Sequence, residues 1–241
     1  MKHLLNSKYI PYFTLIFGGV GATIRWLLYA LTTDEKNLIP LCHPLEILLW
    51  IVSAVTLALI LAAILPLRNA ENNPNRFAPN LPAALGALAA AVGIGLTVLL
   101  YPWDYSGTLG LIRRVLGIAA AVSLLAVAFF RARGQEPFFA LHAVVCVFFA
   151  LHMVSCYRLW SGNPQLIDYI FSLFASIGLM LFAFYHGCLE AGMGKLRMLP
   201  ITGLLTAYCC IVALSGTNYV WLYLGGGIWS ITNLCRLHTG E

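Results

Sequence analysis

Apolar residues run in long blocks through this chain, and the polar residues fall mainly in the short gaps between the blocks. A helix needs roughly 20 apolar residues to cross the hydrocarbon of a bilayer. Eight stretches reach or approach that length: 9–30, 45–65, 81–101, 111–130, 138–157, 167–188, 199–214 and 219–234. The gaps carry helix-breaking punctuation: Pro40 and Pro44, Pro66, Pro102, Gly134 and Pro137, Gly162 and Pro164, Gly192 and Gly194, Ser215 and Gly216. The pattern predicts an all-α polytopic transmembrane helix bundle of about eight spans, with residues 1–241 as a single integral membrane domain. The last two stretches are short, and predict either a thin helical pair or a re-entrant hairpin. Both ends of that pair lie on the same side in either case.

Composition supports this picture and narrows it. Hydrophobic residues make up 61% of the chain and charged residues 10%, against about 25% charged in a soluble domain. The longest polar gap, around 67–81, is rich in Asn and Pro and would resist helix. No room is left for an extramembrane kinase, nucleotidyl transferase or DNA-binding unit. The first block is long for a secretory signal and has no A-x-A-like site after it, which predicts a helix that stays in place. The seven cysteines include no C-x-x-C and read as small core residues.

Charge gives the helices an expected orientation. With the N-terminus inside, the inner gaps receive Lys2, Lys8, Arg68, Arg76, Arg131, Arg133, Lys195, Arg197 and Arg236. The outer layer receives Arg25, Lys36, Arg113, Arg114 and Arg158. The positive-inside rule then favours both termini in the cytoplasm, with the protein expected in the cell (plasma) membrane. The acids Asp34, Glu35, Glu46, Asp104 and Asp168 leave the outer layer close to neutral. The formal net charge of +5 therefore belongs to the inner face, which suits an anionic leaflet. Basic residues scattered singly and in pairs speak against nucleic acid as a partner.

Two groups of residues could carry chemistry. The first is an outer belt in which Arg25, Glu46, Arg113, Arg158 and Asp168 reach into the ends of their helices. Charges at that depth are costly and should pair or line a wet cavity. Ion pairs such as Arg25–Glu46 and Arg158–Asp168 are one reading; a small-molecule site opening outward is the other. His43, Tyr105, His152, Tyr157, Trp160 and Asn163 map to the same layer. The second group lies on the inner side. His142 begins the fifth block, His186 ends the sixth, and Glu190 follows His186 by four residues. Antiparallel neighbours would bring the two histidines to similar depth. Imidazole, carboxylate and the cysteines at His142–Cys146 and His152–Cys156 spacing are ligand types for a metal or haem. No H-E-x-x-H or paired C-x-x-C supports one, so no cofactor is expected. No G-x-S-x-G, S-x-x-K or Walker loop is present either, and no catalytic residue is assigned.

Small residues recur where helices could approach closely: Gly18, Gly19, Gly21 and Ala22; Gly86, Ala90 and Gly93; Gly225, Gly226 and Gly227. The segment Gly18-Gly19-Val20-Gly21-Ala22-Thr23-Ile24-Arg25-Trp26 resembles the first helix of small dimeric fluoride channels. Those channels are much shorter, and their pore asparagine and Phe/Thr/Ser-rich helix break have no counterpart here, so no function is carried over. The stretch Tyr157-Arg158-Leu159-Trp160-Ser161, continuing through Pro164-Gln165-Leu166 to Asp168-Tyr169, is similar to uncharacterised multi-spanning proteins of Gram-positive anaerobes. That resemblance covers about a third of the chain with the helices that follow. It implies an inner-membrane location and no activity.

The sequence thus predicts an integral membrane protein of the small-molecule transport or binding class. Its expected site is outward-facing and lined by Arg25, Glu46, Arg113, Arg158 and Asp168. A sensor or accessory subunit is the alternative, and a lipid-modifying membrane enzyme the second. The expected partners are the lipid bilayer, a small-molecule ligand, and a membrane protein or a second copy of the chain.

Overall fold

The computed structural model describes residues 10–32, 43–64, 80–101, 107–135, 137–160, 169–193, 198–216 and 219–234. They form eight α-helices: α1 (Ile10–Thr32), α2 (Pro44–Ile64), α3 (Leu81–Leu100), α4 (Gly107–Arg133), α5 (Phe139–Trp160), α6 (Ile170–Glu190), α7 (Met198–Ala213) and α8 (Val220–Leu234). A 3₁₀ turn at Leu214–Gly216 extends α7. Seven helices are long and apolar enough to cross a membrane; α8, at 15 residues, is the short one. No strand occurs among the described residues.

Local chemistry sets the helix ends. The Asn80 side chain accepts from the Ala83 amide at 3.1 Å and caps α3. Gly134 and Gly192 adopt positive φ, 70° and 74°, just beyond α4 and α6. The next amide in each case turns back into the helix: Gln135 to the Phe130 carbonyl at 2.9 Å, and Met193 to that of Cys188 at 3.0 Å. This is the glycine-terminated closure that satisfies the last carbonyls. Because the stops fall there, α4 continues past Phe130 and α6 past Cys188. Arg131 and Glu190 therefore sit on helices rather than in gaps.

Helices α3 to α8 close into a ring, each packed on its neighbour in sequence, with α8 returning to α3. The α1–α2 pair lies outside the ring against α7. Ring neighbours meet start to end, as Asn80 with Arg131, Arg113 with Cys156, His142 with Glu190 and Gly203 with Leu234, so these pairs are antiparallel. The interior is filled by Phe148, Phe149, Leu179, Phe182, Tyr223 and Trp229, all buried.

The outer surface is the inverse of a soluble protein's. Ile16, Leu31, Ile51, Leu99, Leu111, Val122 and Phe174 are exposed, and an apolar shell of that extent is stable only against lipid. The chain is an integral, multi-pass membrane protein.

Close backbone approach fixes α8 in the ring. An added Cβ on Gly225 would stand 2.5 Å from the Ala89 carbonyl oxygen, and one on Gly226 2.6 Å from Leu179. Gly93 faces the Trp221 carbonyl with no room for a side chain. The glycines of Gly225–Gly227 are helical and serve packing. Overpacking here should cost about 1–3 kcal/mol. Gly225→Val is expected to lower the thermal midpoint in detergent, whereas Gly95→Ala, with open space around it, should leave the midpoint unchanged or raise it.

Candidate functional site

The ring interior is polar at two levels and apolar between them. At the end where α4 and α6 stop and α5 begins, Glu190 is the focus. Its Oε1 accepts from Arg131 Nη2, and the guanidinium and carboxylate are both buried. Its Oε2 lies 2.9 Å from His142 Nδ1, and Oε1 lies 3.3 Å from His186 Nδ1. The two imidazoles stack almost parallel, with centroids 4.9 Å apart and planes 4° from each other. Trp229 of α8 closes over both rings, at 6.5 Å and 6.4 Å. Four helices meet here because His186 and Glu190 share one face of α6 at i, i+4 spacing. The missing Cβ of Gly187 lets α5 approach until His142 is in contact.

Asn233 orients one imidazole. Its Nδ2 donates to the Trp229 carbonyl at 2.9 Å, which leaves Oδ1 as the acceptor facing His186 Nε2 at 3.0 Å. The proton of a neutral His186 therefore sits on Nε2, and Nδ1 presents a lone pair towards Glu190. Among the described residues, His186 Nδ1, both nitrogens of His142 and Glu190 Oε2 are buried with no hydrogen bond.

The other level lies toward the opposite end of the same helices. Arg113 of α4 is buried, 3.9 Å from Cys156 Sγ and 5.8 Å over the Tyr219 ring. Cys156 Sγ is 3.5 Å from His152 Nε2, and the His152 ring meets Tyr219 edge-on at 4.9 Å. Tyr223 donates to the Ser172 carbonyl at 3.0 Å and shares a hydrogen bond with Ser176 at 3.1 Å. His142 and His152 are separated by about 15 Å along α5 at 1.5 Å per residue.

The described residues include four of the five expected site residues. Arg25 lies in the seam of α1 with α7, donating to the Val212 carbonyl at 3.1 Å and to Tyr29 Oη at 3.3 Å. Its guanidinium also lies 5.4 Å from the Phe171 ring. It thus serves a carbonyl near the C-terminal end of α7, where the helix dipole favours a cation. Gly18 and Gly21 make room for Ile211 and Val212 of α7, so the glycine-rich run before Arg25 is a packing face. Arg113 belongs to the ring interior. Glu46 is half-buried in the first turn of α2, and Arg158 is exposed in the last turn of α5. Asp168 lies outside the described residues, as do Asp104, Tyr105 and Asn163. The ion pairs of the described residues converge on Glu190 instead of joining Arg25 to Glu46.

Sequence reasoning placed His142, His186 and Glu190 at one depth but missed Arg131 and Asn233. Arg131 looked like a gap residue because hydropathy falls at Phe130. The signal that could have found it is the glycine stop at Gly134, three residues later. Asn233, near the end of α8, is a polar residue that no spacing rule ties to α6. No protein-family model, curated protein or solved structure matches this chain.

Removing one partner of a buried ion pair costs about 3–5 kcal/mol, because the other charge is stranded. Arg131→Ala is expected to destabilise by roughly that amount, and Arg131→Ala/Glu190→Gln to recover part of it. A double-mutant cycle on chemical denaturation in detergent checks this. Additive single effects would show that the pair is energetically idle.

Proposed function

We propose that this integral membrane protein transports or binds a small polar solute, taken into the α3–α8 ring from the Arg113 level. One observation carries the reading: ionisable side chains from α4, α5 and α6 are gathered inside the ring at two depths, while the surface is apolar. A charge held inside a bilayer is expensive, and such residues mark solute or ion paths by default.

The outer level has the composition of a binding site. Arg113, His152, Cys156 and Tyr219 offer a cation, an imidazole, a thiol and an aromatic edge within contact of one another. That set suits a small anionic or zwitterionic solute. Glu46, Arg158 and Asp168 belong to the same reading as groups at the outer mouth, and Arg25 as a neighbour on α1. We place the termini in the cytoplasm and the protein in the cell membrane on the positive-inside bias and the resemblance around Tyr157–Tyr169.

Water access separates this function from a sealed sensor or accessory bundle. A variant that keeps Cys156 and replaces the other six cysteines by serine would be placed in right-side-out vesicles. Labelling by a membrane-impermeant anionic methanethiosulfonate is expected from outside, and should be slower in Arg113→Gln. Labelling by a lipid-soluble maleimide alone would mean that no aqueous route reaches this level, and the transport reading would fall.

A further inference from the structure

We propose that His142, His186 and Glu190 form a binding site for one divalent transition-metal ion of the zinc class, at the inner level of the ring. The site stands on its own geometry and does not depend on a solute path from the Arg113 level.

Three observations lead to it. First, the ligand-type atoms of these residues all lie within 4.8 Å of one another. Bonds of about 2.0–2.2 Å in a tetrahedral shell set ligands roughly 3.3–3.6 Å apart, and the nitrogen–oxygen separations of 2.9 Å and 3.3 Å lie below and at the lower edge of that spacing. Second, the atoms that a metal would take, His186 Nδ1, His142 Nδ1 or Nε2 and Glu190 Oε2, are buried with no well-aligned hydrogen bond, and face only one another and Glu190 Oε1, at 2.9 Å and 3.3 Å. Buried polar atoms are otherwise almost always satisfied, and an ion is one of the standard explanations for a cluster that is not. Third, the surrounding contacts are of the kind that orient metal ligands. Asn233 holds the far nitrogen of His186 and fixes the tautomer with its lone pair toward Glu190. Arg131 occupies Oε1 of Glu190 and leaves Oε2 to bind. Such outer contacts fix ligand orientation in metal sites generally.

Without a metal this arrangement is electrostatically awkward. A lone pair on His186 Nδ1 faces Glu190 Oε1 at 3.3 Å, the oxygen that also accepts from Arg131, and a cation held by that lone pair and by the other oxygen, Oε2, would relieve the repulsion. The parallel rings must change for that to happen, since in-plane lone pairs of stacked rings do not converge. His142 is the ring that must turn, because the Nε2 of His186 is held by Asn233, and turning gives up the 2.9 Å approach of His142 Nδ1 to Oε2. Two imidazoles and a carboxylate suit zinc, cobalt, nickel or ferrous iron over calcium or magnesium, whose preferred ligands are oxygens.

The full-length protein in nanodiscs would be stripped with EDTA, loaded with zinc chloride, desalted and assayed for metal by mass spectrometry. One zinc per chain is expected in the wild type, and none in the triple variant His142→Ala/His186→Ala/Glu190→Gln. Cobalt in place of zinc should give visible d–d bands that are lost on adding zinc. Asn233→Ala keeps all three ligands and should weaken zinc binding by about 10–100-fold. If the triple variant fails to fold, Asn233→Ala and the cobalt spectrum of the wild type still decide. Wild-type protein with no retained zinc and no cobalt bands overturns the site, as does zinc retained equally by a folded triple variant.

Discussion

A charge inside a bilayer has no water to fall back on, and the arrangement of the ring follows from that constraint. Glu190 ends α6 at a depth where its carboxylate is buried, so a cation must be brought to it. Arg131 supplies the charge from α4, His142 comes from α5, and Trp229 and Asn233 of α8 close the remaining side. Four helices are thereby committed to one point. The amide of Asn80, at the start of α3, adds a bond of 3.1 Å to the Arg131 carbonyl, which ties the fifth helix to the same end.

That polar convergence is compatible with a stable bundle only because the rest of the interior is closely packed. Lipid chains are as apolar as the side chains they would replace, so helices associate through contact and hydrogen bonds rather than through expulsion of water. The glycines of α3 and α8 bring two backbones together, and Phe148, Phe182, Tyr223 and Trp229 fill the space the ring encloses. The short α8 fits this role. It is largely surrounded by protein, so its length need not match the hydrocarbon thickness that α1 to α6 span.

Separation of the two polar levels has a consequence for function. An apolar layer of aromatic and leucine side chains stands between Arg113 and Glu190. The Arg113 level combines groups suited to holding a solute, while the Glu190 level combines groups suited to holding an ion. Arg25 belongs to neither. It contacts the Val212 carbonyl of α7 and the Phe171 ring of α6.

Hydropathy alone makes the helices legible, because each crossing demands a long apolar run and each gap a break. The i, i+4 pair of His186 and Glu190, and the depth match implied by antiparallel neighbours, are also visible in the linear chain as spacing. Which helices adjoin is not, since every pair of apolar faces is equally acceptable to lipid. Arg25, Glu46, Arg113 and Arg158 share a layer by residue number, yet only the packing of α1 on α7 and of α4 on α5 sends Arg25 and Arg113 to different surroundings. In the same way, Arg131 and Asn233 become partners of the Glu190 cluster through ring closure by α8. The sequence by itself determined the solvent and the number of helices, because these depend on composition along one dimension. The tertiary structure decided which charges meet, because that depends on where glycines let backbones approach and on which buried groups can satisfy one another.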